Sequence, residues 1–95
     1  MELGKLYRFS EFGIYRYLRT TKELGQETSM VWIERTDGSV MTTDIHSLYV
    51  VVLEINSLPH QLSEKKAKVL LPDATTGLIG VREDEWEIII SPTVV

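Results

Sequence analysis

The chain has no cysteine. That absence excludes a disulfide framework, a thiolate nucleophile and any zinc or iron–sulfur centre held by sulfur. Histidine is nearly as scarce: His46 and His60 are the only two, and their separation matches no metal-ligand spacing. Long apolar runs are missing too. Leu48 to Leu53 and Ile88 to Ile90 fall far short of the roughly 20 residues that cross a bilayer. Met1-Glu2-Leu3-Gly4-Lys5 lacks the basic-then-apolar build of a secretion signal, so no membrane association and a cytoplasmic location are expected. Gly77-Leu78-Ile79-Gly80 is not followed by the Gly-Lys-Ser/Thr of a phosphate loop, and no serine stands in a nucleophile elbow. Glu83-Asp84-Glu85 with Glu87 is the densest acidic cluster. It carries no EF-hand pattern and reads as the solvated tip of a turn. The expectation is a protein that is not an enzyme and has no cofactor and no metal site.

What is present is β-forming. The 95 residues suffice for one domain, residues 1–95. Thr36-Asp37-Gly38-Ser39, between Met30–Arg35 and Val40–Thr43, is a strong hairpin signal. A two-residue turn at Asp37-Gly38 would place Arg35 opposite Val40, Glu34 opposite Met41, Ile33 opposite Thr42 and Trp32 opposite Thr43. Residues 5–9 alternate as a strand, and 14–20, rich in tyrosine, isoleucine and threonine, predict a second. Thr21 to Thr28 reads as an exposed polar loop. Asp44 caps a single helical turn over 44–48, and β-branched residues then predict a buried strand over 49–55, ended by Asn56-Ser57-Leu58-Pro59.

Beyond Pro59, Ser63 is placed as the N-cap of a helix over 63–71 that Pro72 stops. Gly77–Arg82 and Glu85–Ile90 predict a second hairpin about Glu83-Asp84, with Trp86, Ile88 and Ile90 on one face. The expected core includes Leu18, Trp32, Ile33, Val50, Val52 and Ile88.

In Gly4–Phe9, Ile14–Leu18, Met30–Ile33, Asp37-Gly38 and Asp44–Tyr49, the order of two strands, loop, tight hairpin and helical turn entering a strand resembles SH3-like small barrels. Barrels of this kind include the Tudor and KOW types, and the stretch also resembles a bacterial family of small barrels of unknown function. Where that bacterial family has a Trp-Val-Arg-Pro stretch, this chain has Val40-Met41-Thr42-Thr43. The resemblance covers residues 4–52 and implies a mainly β domain with a barrel-like core over 4–55; the helix and hairpin expected in 56–95 lie beyond it, as a C-terminal extension. It also implies a binding role, since such barrels hold RNA, chromatin peptides or other proteins.

Residues 1–22 carry five basic and two acidic side chains, a net charge of +3 in a chain of net charge −4. Folding is expected to cancel that split by bringing the segments together. Tyr7, Tyr15 and Tyr17 interleave with Arg8, Arg16 and Arg19, the residue types with which small barrels stack bases and track a phosphate backbone. These six are the candidate binding residues. A sequence pI near 5.1 weighs against nucleic acid. The favoured reading is therefore a module that binds another protein or self-associates through the Ile88-Ile89-Ile90 strand, with an RNA- or DNA-binding barrel as the alternative.

Overall fold

The first structured segment after residue 9 is a helix, where a strand was expected. A computed structural model describes residues 1–56 and 66–89, in which strand β1 (Leu6–Phe9) is followed by α1 (Glu11–Glu23). Ser10 caps the helix by accepting from the Gly13 N–H at 3.0 Å. At the other end Gly25 takes a φ of +78°. Its N–H donates to the Lys22 carbonyl and that of Gln26 to the Thr21 carbonyl, a Schellman closure. Gly13, Ile14, Tyr17, Leu18 and Thr21 turn inward at helical spacing, whereas Phe12, Tyr15 and Arg19 are exposed. Burial of that stripe and two good caps override the β-preference of 14–20. Gly13 is required by packing: a Cβ there would lie 3.0 Å from the Glu85 carbonyl carbon and closer still to its oxygen. The expected polar loop thus begins only after Leu24.

The hairpin forms from β2 (Met30–Glu34) and β3 (Val40–Asp44), but one residue out of the expected register: Glu34 faces Val40, Ile33 faces Met41 and Trp32 faces Thr42. Only Gly38 adopts a positive φ, +89°. The loop is therefore three residues long, Thr36-Asp37-Gly38, with Arg35 donating to the Ser39 carbonyl and accepting from Gly38. Asp44 then caps a 3₁₀ turn (Ile45–Ser47), its carboxylate accepting from the His46 N–H at 2.8 Å, as expected. The expected buried strand follows as β4 (Tyr49–Asn56).

Lys66–Leu70, expected as the body of a helix, is strand β5; Ser63, the expected cap, lies outside the described residues. Ala67 and Val69 are fully buried while Lys66 and Leu70 face out, the period-2 pattern of a sheet. The remaining strands are β6 (Thr76–Gly80) and β7 (Trp86–Ile88), the latter preceded by a 3₁₀ turn over Glu83–Glu85. They do not form a hairpin with each other. β6 pairs with β5 and β7 with β1, so they are the two edges of one antiparallel sheet of order β6-β5-β4-β1-β7. β2 and β3 form a separate two-stranded sheet. The described chain is mainly β, in two open sheets in place of a closed barrel, with one α-helix near the N-terminus and none over 66–89.

The core lies between the sheets and under α1: Val50, Val52, Val69 and Ala67 from the large sheet meet Val31, Ile33 and Met41 from the small one, with Ile45 and Leu48 between. Of the expected core, Ile33, Val50 and Val52 are buried and Leu18 is half-buried. Trp32 is 59% exposed and Ile88 39%. Adjacent strand residues point to opposite faces, so Ile33 inside puts Trp32 outside. Ile90 lies outside the described residues. Val52 exposes none of its surface. Val52→Ala is expected to lower unfolding free energy by about 1–3 kcal/mol, from lost burial plus a residual cavity. Urea denaturation measures it, and a change within error of zero would contradict this packing.

Candidate functional site

Two turns of the same design stand side by side. In the β2–β3 turn, Asp37 accepts from the Ser39 N–H at 2.9 Å, and Gly38 is left-handed. In the β5–β6 turn, Leu71 donates to the Thr75 carbonyl and accepts from Ala74; Asp73 accepts from the Thr75 N–H at 3.1 Å, and Ala74 is left-handed with φ +68°. Arg35 joins them. Its guanidinium donates to Val40 O at 3.1 Å and Ser39 Oγ at 3.3 Å on its own hairpin, and to Asp73 Oδ2 at 2.6 Å and Thr75 Oγ1 at 3.0 Å on the other. The neighbouring Thr36 donates its N–H to the Thr76 carbonyl at 3.0 Å, and their hydroxyls lie 2.7 Å apart. Bonds from the Arg35 guanidinium, then from Thr75, hold the Asp73 carboxyl at about 2, below its usual value of 3.8.

At this clamp the sheets touch through one isolated bridge among the described residues, Arg35 with Gly77. A Cβ at Gly77 would lie 3.0 Å from Glu34 O and 2.8 Å from Leu71 Cδ1, so the approach requires glycine. Past the bridge β2 and β6 share no further pairing, and a cleft opens between them. Its cavity of about 290 Å³ is floored by Val31, Ile33, Leu48, Ile79 and Trp86 and flanked at the mouth by Trp32, Leu78 and Gly80. Phe9, stacked on Trp86 with ring centroids 4.2 Å apart, lines it with Tyr17 and Glu85. Tyr17 fixes the end of β2, its hydroxyl donating to the Met30 carbonyl; burial raises the phenol's pKa. Glu85, the only charged lining residue among those described, is held by Arg82 at 3.2 Å and Arg16 at 3.7 Å.

Both walls are strand edges. Arg35 and Ser39 form a hydrogen-bonded pair, as do Ser29 and Ile45, so by antiparallel alternation Trp32 and Thr42 do not. The Trp32 N–H and C=O therefore point away from β3, toward β6. On β6, Leu71 donates to Thr75, so Leu78 and Gly80 are likewise the residues whose backbone groups point away from β5, toward β2.

The six residues singled out from sequence do not form one surface. Tyr7 is 7% exposed in the core, its hydroxyl accepting from the Glu2 N–H at 2.8 Å. Arg8 stands on the outer face of β1 and donates to Glu87, whose carboxylate raises its already high pKa. Tyr15, 63% exposed, shares the outer face of α1 with Arg19, which pairs with Glu23 at 3.2 Å. Only Arg16, through Glu85, and Tyr17 reach the cleft. Trp32, Leu78, Gly80 and Glu85 were not among the six; the alternation Met30-Val31-Trp32-Ile33 is the signal that places a bulky aromatic on the outer face. The N-terminal positive charge is indeed folded against C-terminal acids: the Met1 amino group on Glu83, Arg8 on Glu87 and Arg16 on Glu85.

A wider cavity of about 520 Å³ lies beside the start of α1 and the first 3₁₀ turn. Four of its polar side chains are already engaged: Arg8 and Glu87 with each other, His46 with Asp44 and Asp84 with Arg82. Among the described residues no cluster of three or more histidine and carboxylate side chains could hold a metal, and no helix is long and apolar enough to cross a membrane. No family model, curated protein or solved structure matches the chain.

The clamp is expected to make stability depend on acid pH. Asp73 and Asp44, the latter bonded by Ser29 and His46, both titrate at about 2 in place of 3.8 when folded. Depressed carboxyl pKa values add stability that is present above the unfolded value and lost as pH falls through the folded one. The melting temperature should be level above about pH 5 and fall between about pH 4 and pH 2. Asp73→Asn should melt lower than wild type at neutral pH and show a shallower acid fall; an identical pH profile would contradict the clamp.

Proposed function

We propose that this domain is a non-enzymatic interaction module that binds another protein, with the β2–β6 cleft as its contact surface. One observation carries the reading: a solvent-exposed tryptophan stands over an apolar cavity between two strand edges with outward-pointing backbone groups. Exposed aromatics over such pockets dominate the energetics of protein interfaces. The SH3-like resemblance belongs to this reading as well, supported by the tight hairpin and the single 3₁₀ turn entering β4. Self-association is a second form of it, through β7, an edge strand whose Ile88 is exposed.

The nucleic-acid alternative draws less support from the geometry, because Arg8, Arg16 and Arg19 each face a glutamate and Tyr7 is in the core. Recovery of partners from native lysate on immobilised protein, with and without nuclease, separates the two. Trp32→Ala should leave the fold intact, since Trp32 packs on the outer face. The expected result is protein partners that resist nuclease and weaken at least about tenfold with Trp32→Ala. Recovery abolished by nuclease, or unchanged by Trp32→Ala, would contradict the proposal.

A further inference from the structure

The geometry points to one mode of binding, which rests on the protein-binding reading: the partner enters the cleft as an extended strand and bridges the two sheets. Successive residues of an extended chain present their backbone groups to opposite sides. A segment in the cleft meets the outward-pointing groups of Trp32 on one side and those of Gly80 on the other. Main-chain pairing of this kind supplies affinity, and alternate side chains supply specificity. The far end of β2 is closed to pairing, because the Met30 carbonyl accepts from Tyr17 and its N–H donates to Thr28 Oγ1. The segment is therefore short.

Charge selects the occupant. Among the described residues the cleft's one carboxylate, Glu85, is already matched by Arg82 and Arg16, and the rest of the lining carries no charge. An uncharged segment with one bulky apolar side chain for the cavity fits that pattern; a phosphate backbone finds no unpaired cation among the described residues that line it. Gly80 leaves the space open. Its backbone is unstrained for any residue, and a Cβ there would meet nothing within 4 Å.

Gly80 also supplies the test. Gly80→Val puts a branched side chain into the mouth at a position where β-branched residues are well accommodated. The probes are peptides selected from a random twelve-residue phage library on the wild-type chain, then synthesised and titrated. Expected are sequences alternating apolar and polar residues and binding at least about tenfold more weakly to Gly80→Val, whose melting temperature is not lowered. N-methylation of central peptide amides should cost at least about tenfold, and of terminal amides little, a readout independent of any protein variant. Equal affinity for Gly80→Val, or indifference to N-methylation, would overturn strand insertion while leaving protein binding elsewhere on the surface intact. Enrichment of no peptide would overturn it as well. So would a wild-type dimer that Gly80→Val converts to monomer, which would make a second copy the occupant. Failure of the lysate experiment alone, by contrast, is failure of the protein-binding reading.

Discussion

One guanidinium holds the two sheets together. Arg35 spans the β2–β3 and β5–β6 turns with bonds to Ser39, Val40, Asp73 and Thr75, and the Thr36–Thr76 pair and the Arg35–Gly77 bridge lie beside it. Arginine suits the position because its planar donors are fixed in several directions at once, which the point charge of lysine could not reproduce. The two turns present matching acceptors because each is built on an aspartate followed by a left-handed residue.

The clamp grips only one end. A small sheet fastened at its turn and backed by α1 at its other end must part from its neighbour in between, and the cleft is that parting. Tyr17 holds the far end of β2 by the Met30 carbonyl. Gly13, which lets α1 lie on the Glu85 backbone, sets where that helix can stand. Two edges kept apart by fixed ends cannot satisfy each other. Edge strands in that condition invite an added chain, and folded proteins that do not use such edges blunt them. Here the two facing edges carry Trp32 on β2 and Gly80 on β6, neither of which is a charge or a proline.

Much of the fold is legible in the sequence, and the misreadings have definite causes. The strands at 5–9 and 49–55, the hairpin at residues 30–43 and the Asp44-capped turn follow from alternation, turn chemistry and capping. Residues 14–20 carry β-forming side chains but obey helical spacing, and Ser10 and Gly25 supply the caps; composition misled where periodicity would not have. Lys66-Ala67-Lys68-Val69-Leu70 is the converse, a lysine-rich run of helical appearance whose strict alternation belongs to a sheet. The hairpin slipped one residue because an aspartate before glycine also suits a three-residue loop, in which only the glycine is left-handed. The cleft was not legible, since it depends on which strands become neighbours: β6 and β7, consecutive in the chain, lie at opposite edges of the sheet.

Residue-resolved amide hydrogen exchange of the unliganded protein tests the half-open arrangement most directly. Ile33 and Met41, paired with each other in the small sheet, and Val69 and Ile79, paired with Gly77 and Ala67 in the large one, should be strongly protected. The amides of Trp32 and Gly80, flanking the cleft, should exchange orders of magnitude faster than these neighbours. Equal, strong protection at Trp32 and Gly80 would mean that β2 and β6 are zipped into one continuous sheet with no edge to offer.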